Sequence, residues 1–132
     1  MRVSSLPDRR PQILLVEDDA MLLEVMAEAL RREGYFFETA RSGDEAVEKA
    51  YRLNPEVVLL DIDLPGQSGY LVAAKLKVAK PSPKVLFVTA MPRGQSDRVA
   101  AFLRVEGIMH KPFALPKLLG NVERLLGLAQ AA

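Results

Sequence analysis

Cysteine is absent from this chain of 132 residues, and histidine occurs only once. Without cysteine the protein cannot form a disulfide framework, a thiolate metal site or a thiol nucleophile. A single histidine likewise excludes a metal site built from several imidazole ligands. Side-chain oxygen atoms are therefore the main groups that the chain offers for metal binding or nucleophilic chemistry.

Long apolar runs and blocks of like charge are also missing. No apolar run approaches the roughly 20 residues that a membrane-spanning helix needs, and the opening residues MRVSSLPDRR lack the apolar centre of a signal peptide. The net charge is only +1, which gives no indication of a nucleic-acid or membrane surface. We therefore expect a cytoplasmic protein that contacts neither nucleic acid nor a membrane directly.

The chain has enough apolar residues for a core, since 49% of it is hydrophobic. Its length is close to the commonest size of a single domain. We expect a flexible N-terminal lead-in over residues 1–10, one folded domain over residues 11–128 and a frayed C-terminus over residues 129–132. Met21 and Met26, together with the leucines that recur at helical spacing, are expected in the core.

The most informative stretch is Val57–Gly69, which reads VVLLDIDLPGQSG. Four apolar residues lead directly into Asp61, and a Pro65-Gly66 turn follows. Such a run is typical of a parallel strand that is buried on both faces. Asp61 would then lie at the carboxyl end of that strand, where open α/β sheets bind their ligands.

Four further runs have the character of strands, and a helical pattern follows each of the five. The strands are predicted at 13–16, 35–40, 57–61, 85–88 and 108–110. Asp19 and Ser42 are suited to cap the first two helices because their side-chain oxygens can accept backbone N–H bonds. Ser96 or Asp97 is expected to cap the fourth helix, and Gly107 is expected to end it.

This alternation predicts an α/β fold, a three-layer (βα)5 doubly wound parallel sheet with helices on both faces. The expected strand order is the flavodoxin-like order 2-1-3-4-5. In that order the carboxyl ends of strands 1, 3, 4 and 5 are adjacent. The side chains that would converge there are Glu17, Asp18, Asp61, Thr89 and Lys111.

Such a pocket has a definite chemistry. Two or three carboxylates at one sheet edge repel one another unless a cation binds between them, and oxygen ligands favour Mg²⁺. Lys111 would add a positive charge suited to a phosphate or to pairing with Asp61, and Thr89 would add a hydroxyl donor. A carboxylate can attack phosphorus and form an aspartyl-phosphate, so the pattern predicts phosphoryl transfer onto Asp61.

Four motifs, ILLVEDD, LLDIDLPGQSG, VTA and HKPF, occur here in the order and spacing of a known family. Over residues 13–128 the chain resembles the receiver domain of two-component response regulators. The resemblance implies that Glu17 and Asp18 form the metal-site pair and that Asp61 is the phosphoacceptor. It also implies that the backbone carbonyl of Asp63 reaches the metal. The side chain of Asp63 is itself expected to face solvent.

The resemblance further implies that Thr89 is the switch residue, that Lys111 is the site lysine and that the peptide bond before Pro112 is cis. The sequence departs from the family in two places. Ile108 occupies a position where the family usually has tyrosine or phenylalanine, and the segment LRVEG lacks the usual Ala-Gly pair. An output mechanism that depends on the aromatic residue is therefore not expected to operate here.

The implied function is that of a phosphoacceptor signalling domain rather than an enzyme, with slow autodephosphorylation at most. The donor would be a sensor histidine kinase or a phosphotransfer protein. Because the sequence ends after the fifth helix, no output domain is expected within it. Output would then come from docking of a downstream protein on the face formed by residues 96–126.

Two other functions are compatible with parts of the sequence. A degenerate receiver could act only as a docking module, and Ile108 favours that slightly. Asp61-Ile62-Asp63 also resembles the DxD motif of haloacid-dehalogenase-like phosphatases, although that motif usually follows the first strand. Among the other polar residues, Asp19 is expected to be a helix cap rather than a ligand, and His110 an exposed residue without a functional role.

Overall fold

A computed structural model describes residues 10–127 of the chain. Apart from Arg10, the predicted lead-in at residues 1–10 lies outside the described residues, and so does the predicted frayed end at residues 129–132.

Five strands alternate with five helices along the chain. The strands are β1 (Ile13–Val16), β2 (Phe37–Ala40), β3 (Val57–Asp61), β4 (Lys84–Thr89) and β5 (Gly107–His110). The helices are α1 (Ala20–Arg32), α2 (Gly43–Leu53), α3 (Gly69–Val78), α4 (Gln95–Leu103) and α5 (Leu115–Leu126).

All strand pairs are parallel, and the sheet order is β2-β1-β3-β4-β5. The predicted (βα)5 fold and its flavodoxin-like order are confirmed. Val16 pairs with Leu60, Asp61 with Val88, and Thr89 with His110. The register therefore brings the carboxyl ends of β1, β3, β4 and β5 to one edge of the sheet, as the sequence indicated.

The core has two layers because alternate residues of each buried strand face opposite sides of the sheet. One face packs against α2, α3 and α4, and the other packs against α1 and α5. The first layer contains Leu14, Val16, Val58, Leu60, Val85, Phe87 and their helical partners. The second contains Ile13, Leu15, Val57, Leu59, Leu86, Val88 and theirs. Both faces of the central strands are covered, which explains their continuous apolar sequences.

The first two helix caps are those expected from the sequence. The Asp19 carboxylate accepts the backbone N–H groups of Met21 and Leu22, and the Ser42 hydroxyl accepts that of Glu45. These bonds satisfy donors that have no partner within the helix. The interpretation of Asp19 as a cap is supported by this geometry.

The predicted limits of α4 are wrong. The cap position is Gly94, with φ of +100°, rather than Ser96 or Asp97. Asp97 lies in the first turn, where its carboxylate accepts the Gly94 N–H at 3.3 Å. The helix ends at Leu103, because Arg104 adopts a left-handed conformation, and Gly107 begins β5 instead of closing α4.

Two contacts fix the chain at the amino edge of the sheet, where the strands begin. Lys84, at the start of β4, donates from Nζ to the carbonyl of Leu125 at 2.7 Å, which fastens the last turn of α5. The Arg10 guanidinium donates to the carbonyl of Asn54, next to the end of α2. Both ends of the described chain are therefore held at the amino edge of the sheet.

Candidate functional site

Three carboxylates meet at the carboxyl edge of the sheet. One oxygen from each of Glu17, Asp18 and Asp61 lies within 4.8 Å of the others. Glu17 is 1% exposed and Asp61 is 3% exposed, whereas Asp18 is the most accessible of the three. Two of the three acids are thus removed from water, and their mutual repulsion is poorly screened.

Local backbone geometry orients the two buried acids. Glu17 directly follows β1, its N–H donates to the Ala40 carbonyl at 3.0 Å, and its Oε2 accepts the Asp19 N–H at 3.1 Å. Asp61 ends β3, and its Oδ1 accepts the Asp63 N–H at 3.0 Å. Each acid therefore has one oxygen engaged by the backbone and one directed to its neighbours.

Lys111 completes the cluster. Its Nζ lies 3.1 Å from Glu17 Oε1 and 3.3 Å from Asp61 Oδ2, and its backbone N–H donates to the Thr89 carbonyl at 2.7 Å. The peptide bond to Pro112 is cis, as the resemblance implied. Burial alone would lower the pKa of Lys111, but the contact with Glu17 and the charge of Asp61 outweigh it and raise that pKa.

Glu17 has the most strongly perturbed carboxyl group of the site. The pKa of Glu17 is raised to about 7, chiefly because the group is buried and also because Asp61 is close, although the Asp19 N–H and Lys111 act to lower that pKa. The site therefore holds more negative charge than one lysine neutralises, and a proton or a cation is needed to balance it.

The donor set fits a hard divalent cation. Glu17 Oε1 is buried and makes no hydrogen bond of good geometry among the described residues, although Lys111 is close to it. All available ligand atoms are oxygens, which suit Mg²⁺ rather than a softer metal. An incompletely satisfied carboxylate next to two others is the arrangement that such an ion would stabilise.

Thr89 and Asp63 lie at the carboxyl edge of the sheet, Thr89 at the end of β4 and Asp63 shortly after β3. Thr89 ends β4 and is buried, and its Oγ1 accepts the Met91 N–H at 2.8 Å. This bond uses a lone pair, so the hydroxyl proton is still available to another acceptor. The Asp63 side chain is exposed, and its backbone N–H is the group that contacts Asp61.

Two glycines hold the loop after Asp61 and were not singled out by the sequence analysis. A Cβ on Gly69 would lie 2.4 Å from the Ile62 Cα, and a Cβ on Gly43 would lie 2.3 Å from the Gln67 carbonyl oxygen. The N–H of Gly69 donates to the Ile62 carbonyl at 2.8 Å, and that of Gly43 to the Pro65 carbonyl at 3.1 Å. The absent side chains let α2 and α3 close around the loop that positions Asp63.

Three other residues near the site differ from expectation or were not foreseen. Arg41 donates from its guanidinium to the Asp18 carbonyl at 2.9 Å. His110 is not an exposed strand end, because its side chain is only 15% accessible and its Nε2 is buried. Met21 is 78% exposed, so its assignment to the core is wrong, whereas Met26 is buried as expected.

Comparison with known proteins agrees with this geometry. The family model of the response regulator receiver domain matches residues 13–123. The probable transcriptional regulatory protein TcrX of Mycobacterium tuberculosis is 36% identical over 115 residues, which cover 86% of this chain and 49% of the relative. ResD of Bacillus subtilis is 31% identical over 87% of this chain and 48% of the relative. The chain thus spans about half the length of the curated relatives it matches.

Solved structures show the same fold. A CheY-like receiver domain protein from Methanospirillum hungatei superposes with a TM-score of 0.83 at 25% identity, over 93% of this chain and 99% of that one. TrrA of Thermotoga maritima, solved in complex with Mg²⁺ and BeF, gives a TM-score of 0.77 at 34% identity. The match covers 86% of this chain and 96% of that one. Within residues 10–127 no helix is long and apolar enough to cross a membrane. The chain belongs to the receiver domains of two-component response regulators, which are signalling domains rather than classical enzymes.

Proposed function

We propose that the protein, over a domain of about residues 11–128, accepts a phosphoryl group on Asp61. The observation that carries the proposal is the contact of Asp61 Oδ2 with Lys111 Nζ at 3.3 Å, within a cluster of three carboxylates. Glu17, Asp18 and Asp61 would hold Mg²⁺, with the backbone carbonyl of Asp63 as a further ligand. The bound ion would supply charge neutralisation to the phosphoryl oxygens.

The residues of the chain explain how the transfer could proceed. An oxygen of Asp61 attacks phosphorus, the new O–P bond forms, and the P–N bond to the donor's histidine breaks with its electron pair leaving on the imidazole. Lys111 is positioned to stabilise the negative charge on the transferring group. The Asp63 N–H holds the carboxylate of Asp61 in one orientation before the reaction begins.

The proposed donor is a sensor histidine kinase or a phosphotransfer protein. A pocket of about 550 Å³ lies beside Lys111 and is lined largely by apolar side chains, including the exposed Met21 and Val25. A donor that binds there would bring its histidine next to the acidic cluster. The exposed position of Met21 at this edge supports that role.

Thr89 is proposed to report the phosphorylated state. Its free hydroxyl proton can bond to a phosphoryl oxygen, and its Oγ1 already contacts the loop that leads to α4. A downstream protein would then bind the face formed by residues 96–126. Because Ile108 cannot exchange hydrogen bonds as a tyrosine could, we expect modest coupling of about 1–2 kcal/mol.

The test is labelling by acetyl phosphate in the presence of Mg²⁺. Mass spectrometry should show one added phosphoryl group in the wild-type protein and none in Asp61→Asn. Asp63→Asn is the matched control, because it removes a nearby carboxylate whose side chain is exposed, and it should still be labelled. Equal labelling of wild type and Asp61→Asn would contradict the proposal.

Two alternatives give different results in the same experiment. A degenerate docking module would show no labelling of the wild-type protein. A phosphatase would turn over a phosphomonoester, but Asp61 ends the third strand in chain order rather than the first, which disfavours that function. Stable binding of beryllofluoride without turnover would support the phosphoacceptor. Cytoplasmic location and the lack of direct nucleic-acid contact stay predictions.

A further inference from the structure

A groove between α3 and α4 is unusually apolar for a solvent-facing surface. Its volume is about 490 Å³, and its main lining residues are Tyr70, Leu71, Arg98, Val99, Phe102 and Leu103. Phe102 is 84% exposed and Leu71 is 48% exposed. Val78, seven residues after Leu71 on the same face of α3, is also exposed. Exposed apolar side chains that line one groove, as Leu71 and Phe102 do, are typical of an interaction site.

Among the residues that line this α3–α4 groove, Arg98 is the one that carries a charge. The two lysines of α3 do not line it: Lys75 donates to Gln67 Oε1 at 2.6 Å, and Lys77 pairs with Glu106 at 3.0 Å. The only acid of α4 is Asp97, whose carboxylate is engaged by the Gly94 N–H. Arg98 is exposed at the rim and forms no ion pair within residues 10–127. The complementary surface is therefore apolar and acidic.

The floor of the groove also contacts the loop that follows Thr89. The Tyr70 hydroxyl lies 3.5 Å from Met91 Sδ and 3.5 Å from Ser96 Oγ, and its ring packs edge-on against Phe87 at 5.8 Å. Met91 is the residue whose N–H donates to Thr89 Oγ1. A shift of this loop would move the ring and hydroxyl that shape the groove.

We propose that the α3–α4 groove binds an acidic amphipathic helix of a partner protein, and that phosphorylation of Asp61 changes its affinity. The apolar stripe of that helix would cover Leu71 and Phe102, and a carboxylate would face Arg98. Helices that bind grooves in this way place apolar anchors at positions i, i+3 or i+4, and i+7. The dependence on phosphorylation rests on the proposed function, whereas the docking itself does not.

The docking test uses two synthetic peptides of about 18 residues, long enough to form helix on binding. Both carry leucine and phenylalanine on one face, but one carries glutamate and the other lysine at the remaining positions. Fluorescence anisotropy with the full chain should show at least tenfold tighter binding of the acidic peptide. Arg98→Glu should reverse that preference, and Phe102→Ser should weaken binding of the acidic peptide at least tenfold.

The matched control is Tyr51→Ser, which removes another exposed aromatic side chain, on α2, and should leave the peptide affinity unchanged. Absence of binding, equal affinity for the two peptides, or binding that Phe102→Ser does not alter would overturn the proposal. Sedimentation should show a monomer. A concentration-dependent dimer that Phe102→Ser abolishes would mean that a second copy of this chain covers the groove, and would also overturn it.

The coupling is tested by repeating the titration with Mg²⁺ and beryllofluoride. The wild-type affinity should change at least threefold, and Tyr70→Phe, which retains the ring but lacks the hydroxyl, should lose most of that change. An unchanged affinity in a protein that acetyl phosphate still labels on Asp61 would overturn the coupling. A protein that acetyl phosphate does not label would instead contradict the proposed function.

Discussion

His110 Nε2 lies 3.8 Å from Asp97 Oδ1 and makes no hydrogen bond among the described residues. The nitrogen is buried where the end of β5 faces the first turn of α4. Asp97 does not satisfy it, because 3.8 Å is too long for a hydrogen bond and the Gly94 N–H is accepted by the other carboxylate oxygen of Asp97, Oδ2. A buried polar atom without a partner costs about 1–3 kcal/mol, so this contact is a weak point in the packing of α4.

Replacing His110 by leucine should therefore stabilise the protein. We expect the free energy of unfolding of His110→Leu to rise by about 1 kcal/mol in a urea titration, because the unsatisfied nitrogen is lost and the apolar volume is retained. Asp97→Asn is the control background, since asparagine can still accept the Gly94 N–H, and the gain should be similar there. A loss of 1 kcal/mol or more would show that the ring nitrogen has a partner in solution.

Magnesium should raise the thermal stability of the unphosphorylated protein. At a tenfold excess over Kd, binding to the folded state alone adds about 1.4 kcal/mol. Asp18→Asn should remove most of the shift that differential scanning calorimetry records. Asp19→Asn is the matched control, because it removes the same charge one residue away while asparagine can still cap α1. If Mg²⁺ raised the thermal stability of Asp18→Asn and Asp19→Asn by the same amount, the metal would not be bound by Asp18.

Glu17 should make the metal-free protein less stable as the pH rises. Its pKa is about 7 when folded, against an ordinary value of 4.5, so between these pH values the unfolded chain binds fewer protons than the folded one. The free energy of unfolding then decreases with pH over that range. In EDTA, the stability of wild type relative to Glu17→Gln should fall from pH 4.5 to 7 and level off above it. If the difference in stability between wild type and Glu17→Gln stayed constant from pH 4.5 to 7, this prediction would be contradicted.

Gly69 and Gly120 should respond in opposite ways to alanine. The new Cβ at position 69 would lie 2.4 Å from the Ile62 backbone, so Gly69→Ala should cost about 2 kcal/mol or more and weaken Mg²⁺ binding. Gly120 lies on an exposed position of α5 with nothing within 4 Å of a Cβ, so Gly120→Ala should stabilise by about 0.5–1 kcal/mol. Chemical denaturation measures the free energy of unfolding of both variants and so checks both predictions.

The strand order and the convergence of the acids were predictable because β1, β3 and β4 are buried on both faces. Their apolar runs end in Glu17, Asp61 and Thr89, and parallel pairing leaves little freedom in where those residues lie. The roles assigned to these residues at the site stay predictions until they are tested by substitution.

Where the sequence analysis failed, tertiary contacts decided the outcome. Ser96 does not cap α4, because the helix begins one residue before it, and its side chain is buried near the Tyr70 hydroxyl. Gly107 serves close packing of β5, because a Cβ there would lie 2.9 Å from Leu86 Cδ1, while Arg104 takes the left-handed position at the helix end. Apolar periodicity marks Met21 as helical, but periodicity does not distinguish a core residue from one that borders a pocket.

Both ends of the described chain, at residues 10 and 127, are held at the amino edge of the sheet, and this has a practical consequence. Lys84 fixes the end of α5 and Arg10 is bonded beside α2, whereas the acidic cluster lies at the far ends of the strands. From Lys84 to Thr89, β4 advances by five residues, which corresponds to about 17 Å along the strand. A fluorescent protein or a surface linker fused directly to Arg10 or to Gly127 would therefore be anchored away from Asp61, leaving that edge open to small phosphodonors and to soluble partners in immobilised binding assays.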